Sequence, residues 1–164
     1  MARISEKAAG GCNVLAFLDM LSFSEGTVTS KFTRDDGYDV IVGGVDSPNT
    51  FTSYADHPGI LVTVNTKGLK STAAGRYQLL KRWWEPYRKL LALKDFSPVS
   101  QDVIAIQQIR ERGALDDVMV GNIAVAIGKV SNIWASLPGA GYGQPEHKLE
   151  DLLVRYTAAG GLVA

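Results

Sequence analysis

The sequence predicts an α+β fold, mainly helical, with a small antiparallel sheet inserted after the first helix. Two patterns carry this expectation. Apolar residues recur at spacings of three and four through most of the chain, the period of a buried helical stripe. One window, residues 38–64, instead has short β-branched runs cut by Gly, Pro, Asn and Asp. No internal repeat or low-complexity linker divides the 164 residues, so 14–164 reads as a single domain behind an N-terminal arm, 1–13. A chain of this length buries about 70% of its unfolded surface and needs no staples to fold. Cys12 is the only cysteine, which excludes an intrachain disulfide.

The first helix is expected from Val14, Leu18 and Leu21, and the same stripe reaches Glu25 four residues later. Gly26 follows as its stop. The helix dipole and the apolar surroundings both disfavour a charged carboxylate there, and an acid kept protonated near neutral pH is able to donate a proton to a leaving group. Tyr38 to Val42 then reads as a strand stopped by Gly43 and Gly44, with returns at 51–54 and 60–64. From Ser71 the period becomes helical through Ala73, Tyr77, Leu80, Trp84, Tyr87 and Leu91, with Pro86 predicting a kink or a restart. Ser97-Pro98 caps a helix whose buried face is Val99, Val103, Ile106 and Ile109 and which ends at Gly113. Further helices are expected at about 122–130, briefly at 133–137, and around Leu149, Leu152, Leu153 and Tyr156 before Gly160-Gly161.

Composition narrows the function. Basic and acidic residues balance at 17 each, so no global positive field favours nucleic acid or an anionic membrane. The basic-aromatic run at 81–89 reads as an amphipathic helix rather than a single-strand binding platform. The N-terminal residues lack a signal-peptide core and no stretch approaches 18 unbroken apolar residues, so membrane insertion is not expected. His57 and His147 have neither Cys partners nor metal-site spacing, and no metal or cofactor is expected. A serine or cysteine hydrolase motif is absent, and the glycines at 139–143 follow no strand that would make them a dinucleotide loop.

What remains is a carboxylate with aromatic loops, the equipment of sugar chemistry. Saccharide rings stack on Trp and Tyr, and their hydroxyls need amide and hydroxyl partners. Tyr54, Gln78, Trp134 and Tyr142 suit these roles.

Five blocks carry a resemblance: AFLDMLSFSEGT at 16–27, GYDVIVGG at 37–44, DHP at 56–58, KSTAAGRYQLL at 70–80 and SNIWASLPGAGYGQ at 131–144. In this order they resemble the lambda-type phage endolysins, murein lytic transglycosylases with a lysozyme-like fold. The resemblance implies that Glu25 is the catalytic acid and that the blocks around 54–58 and 134–142 are two lips of a saccharide groove. It adds Tyr38 to the binding candidates and has the Ala-Gly-Arg-Tyr-Gln block open the central helix, with Gln78 near the groove floor. It also implies peptidoglycan as substrate, a monomer, and storage in the host cytoplasm until a holin opens the way to the periplasm. Three departures stand out: a longer arm before Val14, an extended loop at 45–50, and Pro86.

The chemistry expected on this resemblance is cleavage of the β-1,4 bond after N-acetylmuramic acid (MurNAc), with Glu25 as acid and then base and a 1,6-anhydro sugar as product. Two alternatives remain open. A lysozyme-type hydrolase would need a second carboxylate, for which Asp39, Asp35 and Asp36 are the candidates. A glycan-binding module would use Trp134, Tyr142 and Gln78 without catalysis.

Overall fold

The computed structural model describes residues 1–43, 49–143 and 145–164. In chain order the described elements are α1 (Glu6–Ala9), α2 (Cys12–Ser24), β1 (Val62–Thr63), β2 (Lys70–Ser71), α3 (Lys81–Leu90), α4 (Pro98–Glu111), α5 (Leu115–Val120), α6 (Ile123–Val130) and α7 (Leu149–Ala158). The architecture is the expected α+β one, helical with a small antiparallel sheet after α2. Gly44 and the greater part of the loop expected at 45–50 lie outside the described residues. No described helix is long and apolar enough to cross a membrane.

The chain forms two compact units, Met1–Glu25 with Asp102–Ala164, and Gly26–Gln101. In the first, α2 packs against α1, α5 and α7. Phe17, Leu18, Met20 and Leu21 have no exposed surface, and each such side chain contributes about 1.5–3 kcal/mol by leaving water. The residues read as an arm are pinned to this unit. Asp102, wholly buried in α4, accepts the backbone N–H groups of Arg3 and Ile4 at 2.7 and 2.8 Å, and Asp19 accepts that of Ala2. Ser5 caps α1 and Gly10, at φ 101°, ends it.

In the second unit the sheet is smaller than the sequence pattern implies. β1 pairs antiparallel with β2, Val62 opposite Ser71. Residues 39–42 make only isolated bridges, Val40 with Thr50 and Ile41 with Ala74, and 51–54 form no strand. The helical pattern from Ser71 is also corrected. Residues 74–79 fold back as a turn, with Ala74 and Leu79 exchanging both backbone hydrogen bonds and Gln78 at φ 53°. A buried amide decides this turn. Gln101 accepts the Arg76 N–H at 2.8 Å and donates to the carbonyls of Tyr38 and Phe96, so it fixes 76 in a non-helical place. The helix therefore starts at Lys81, whose N–H is received by Thr72 Oγ1, and it runs through Pro86 without a restart.

The later helices follow the sequence more closely. α4 starts at the Ser97-Pro98 signal, but Val99 is 46% exposed, and Ile104 and Ala105 are buried beside the expected Ile106 and Ile109. α5 forms where the sequence pattern signals no helix, residues 133–137 form hydrogen-bonded turns, and α7 buries Leu152 and Tyr156 as expected.

Candidate active site

The C-terminus of α2 sets the position of Glu25. Its backbone is the helix C-cap, with the N–H donating to the Leu21 carbonyl at 2.9 Å, and Gly26 at φ 69° turns the chain away. The carboxyl then meets a segment 111 residues later in sequence, where Ser136 Oγ donates to Oε1 at 2.5 Å. Ser24 Oγ lies 2.7 Å from the same Ser136 Oγ. Burial raises the Glu25 pKa above the ordinary glutamate value, and the Ser136 hydroxyl opposes this in part because it favours the charged form. Among the described residues, no protein group hydrogen-bonds to Oε2.

His147 braces both serines. Its backbone N–H donates to the Ser136 carbonyl at 2.9 Å, and its ring Nε2 donates to the Ser24 carbonyl at 3.2 Å. The ring packs on Phe23, over which the Arg155 guanidinium sits 4.2 Å from the centroid. Glu146, the preceding residue, accepts the N–H groups of Gly139 and Gly141 at 2.9 and 2.8 Å, holding the glycine-rich loop on its carboxylate. Neither Ser24, Ser136 nor His147 was singled out as functional from the sequence. Ser136 lies inside a family-like block, yet no spacing rule links positions 25 and 136.

The expected saccharide contacts fall into two sets. Tyr142 is 57% exposed and its hydroxyl donates to the Asn132 carbonyl. Tyr54 is partly exposed, with its hydroxyl donating to Asp35 at 2.7 Å and its ring edge-on to Phe51. Gln78 is partly exposed and its amide donates to the Gly75 carbonyl. Tyr38 and Trp134 are buried, at 0% and 3% exposure. Tyr38 packs edge-on to Tyr77 and beneath the Arg76 guanidinium.

The candidate second carboxylates hold the second unit together. Asp39 is 5% exposed and accepts from the Thr33 hydroxyl at 2.5 Å and the Arg34 N–H at 2.9 Å. Asp35 receives Tyr54, and Asp36 pairs with Arg76 at 3.2 Å. His57 bonds the Leu79 carbonyl, and no group of three metal-ligating side chains occurs among the described residues.

Residues 15–163 match the family model for endolysins. The chain is also 62% identical over 149 residues to the endolysin of Escherichia phage lambda, covering 90% of this chain and 91% of that protein. The chain belongs to the endolysin family. The endolysin of Escherichia phage P2 is 59% identical over 157 residues, 93% of this chain and 95% of the relative. Among solved structures, bacteriophage lambda lysozyme complexed with a chitohexasaccharide superposes at a TM-score of 0.87 with 57% identity over the whole of both chains. A second structure of lysozyme from bacteriophage lambda gives 0.84 and 56%, again over both whole chains. In this endolysin α2 from Leu15 onward, with Glu25 at its C-cap, lies inside the span the family model matches.

Proposed function

We propose that this endolysin degrades host peptidoglycan by lytic transglycosylation, cleaving the β-1,4 bond between MurNAc and N-acetylglucosamine (GlcNAc). The observation that carries the reading is the Glu25 carboxyl at the end of α2, its pKa raised by burial and, among the described residues, hydrogen-bonded through one side-chain oxygen. In the forward step its proton passes to the glycosidic oxygen, and the bond from that oxygen to C1 of MurNAc breaks. The 6-hydroxyl of the same MurNAc attacks C1 and its proton returns to the Glu25 carboxylate. The 1,6-anhydro ring closes, water is not consumed, and the acid is regenerated. An internal hydroxyl is a competent nucleophile because tethered groups reach effective molarities of about 10⁵ M or more.

Hydrolysis of the same bond needs a second carboxylate free to act as nucleophile or base. Asp35, Asp36 and Asp39 are each committed to hydrogen bonds or an ion pair within their own unit, which favours the one-carboxylate route. Tyr54, Gln78 and Tyr142, which keep exposed surface, are the proposed saccharide contacts. The solved relative that holds a chitohexasaccharide supports an extended β-1,4-linked glycan as ligand. No metal or cofactor enters the scheme. In the cell the protein is proposed to wait as a monomer in the host cytoplasm and to reach the periplasm when a holin opens the inner membrane.

Mass spectrometry of soluble products from purified murein tests this reading. Anhydromuramyl products that vanish with Glu25→Gln are expected. Products heavier by one water would make the enzyme a hydrolase, and intact murein with the wild type would reduce it to a glycan-binding module.

A further inference from the structure

We propose that Ser136, with Ser24 behind it, is a positioning residue that fixes which oxygen of Glu25 carries the catalytic proton. The inference rests on Glu25 acting as acid and then base. A hydroxyl has one proton to give and two lone pairs to receive with. Ser136 lies 2.5 Å from Glu25 Oε1 and 2.7 Å from Ser24 Oγ, so it bridges the two. When Glu25 is a carboxylate it accepts only. Ser136 then donates to Oε1, and its lone pair receives the Ser24 proton.

The same order of donation serves the protonated acid. Oε1 becomes the carbonyl oxygen, still receiving Ser136, and the proton resides on Oε2, which no described protein group engages. A proton on Oε1 would instead require the Ser136 hydroxyl to turn away and become an acceptor, giving up its donation to Glu25. The relay therefore leaves Oε2 as the oxygen that gives a proton away and takes one back, with no rearrangement behind it. A hydrogen bond to a carboxylate is stronger than one to a neutral carbonyl, so Ser136 stabilises Glu25 most at the moment the proton has left. This opposes part of the burial that raises the Glu25 pKa.

The relay is held rigidly enough for the task. Ser24 is 5% exposed at the end of α2, and one histidine ties the backbones of both serines, through His147 N–H to Ser136 and His147 Nε2 to Ser24. A serine that merely satisfied a buried oxygen would influence stability and leave the proton chemistry alone. The pH profile separates the two roles.

The experiment measures kcat and KM on soluble murein fragments across pH for wild type, Ser136→Ala, Ser136→Thr and Ser24→Ala, with thermal melts to establish folding and Glu25→Gln as control. Ser136→Ala is expected to lower kcat by about ten- to a hundredfold, less than the roughly 10²–10⁴-fold of a whole general acid because Glu25 itself remains, and to leave KM within about twofold. Its alkaline limb in kcat/KM should move to higher pH, because the carboxylate has lost its donor. Ser136→Thr should restore both, and Ser24→Ala should shift them less and in the same direction. A folded Ser136→Ala enzyme with wild-type kcat and an unmoved alkaline limb overturns the inference. If that result accompanies an inactive Glu25→Gln, only the serine relay fails, whereas an active Glu25→Gln removes the acid-base reading itself.

Discussion

His57 is held from both sides in a way that admits one protonation state. Nε2 faces the Leu79 carbonyl at 2.8 Å and must donate, while Nδ1 receives the Gly59 N–H at 3.0 Å and must be bare. The ring packs 4.8 Å from Phe96. Burial lowers its pKa, the Leu79 carbonyl opposes this, and Lys81 lowers it further against a smaller effect of Asp56. Because the folded-state pKa lies below the unfolded value, the folded chain binds fewer protons in the acid range. The stabilisation is therefore complete above the unfolded pKa of about 6.5 and declines as pH falls through the folded one. Thermal melts of wild type at pH 8 and pH 5 should differ more than those of His57→Gln, which cannot take up the proton. Equal pH dependence in the two proteins would remove His57 as the cause. Glu25 has a raised pKa instead, so by the same linkage its contribution is complete below the unfolded glutamate value and is lost as pH rises through the folded one, the opposite sense to His57.

At the level of elements, the turn at 74–79 carries the sharpest disagreement between sequence and structure. Ala73, Tyr77, Leu80 and Trp84 have helical spacing because all but Leu80 are buried, yet only Trp84 is buried from a helix. Periodicity reports burial and cannot register the long-range amide of Gln101 that pins Arg76. A Cβ on Gly75, at φ 81°, would stand 2.4 Å from Gln101 Oε1. Gly75→Ala should accordingly cost more than about 2 kcal/mol in urea unfolding, since strain and loss of the Gln101 contact combine. A smaller loss would mean that Gln101 moves aside. Pro86 makes the opposite case. It lacks the N–H of an interior helical residue, so Pro86→Ala should stabilise the protein by about 1–2 kcal/mol after the gain in unfolded-chain entropy is subtracted. An unchanged urea midpoint would show that solvent already satisfies the carbonyl Pro86 leaves behind. By contrast, the end of α2 was fully legible, since an apolar stripe, Glu25 and Gly26 are contiguous and local. Ser136 was not, because only the folded chain brings it to Glu25. Tyr38 and Trp134 make a related point: an aromatic residue in a family-like block has the same spelling whether its ring is buried, as both are here, or exposed.

At the scale of the whole molecule, electroneutrality conceals an uneven distribution of charge. The unit Gly26–Gln101 contains ten basic and seven acidic residues, and the remainder contains seven basic and ten acidic. Each unit thus has a small excess of one sign, and the two cancel over the 164 residues. At low ionic strength the Debye length is about 20–30 Å, so a polymeric surface senses the sum; at physiological salt it is about 8 Å and local charge dominates. Binding to murein should then change little with salt, because the sum is zero and the proposed saccharide contact through Tyr54, Gln78 and Tyr142 would be short-ranged and largely uncharged. The Glu25→Gln variant, which would bind without cutting, makes this measurable by co-sedimentation with purified sacculi. Between about 20 and 200 mM NaCl the apparent Kd should vary by less than about threefold. A steep loss of binding with salt would instead mean that the basic excess of Gly26–Gln101 meets anionic groups of the wall directly. In that case Lys→Gln changes among exposed residues of α3 would flatten the salt dependence, whereas changes at the saccharide contacts would lower affinity equally at every salt concentration.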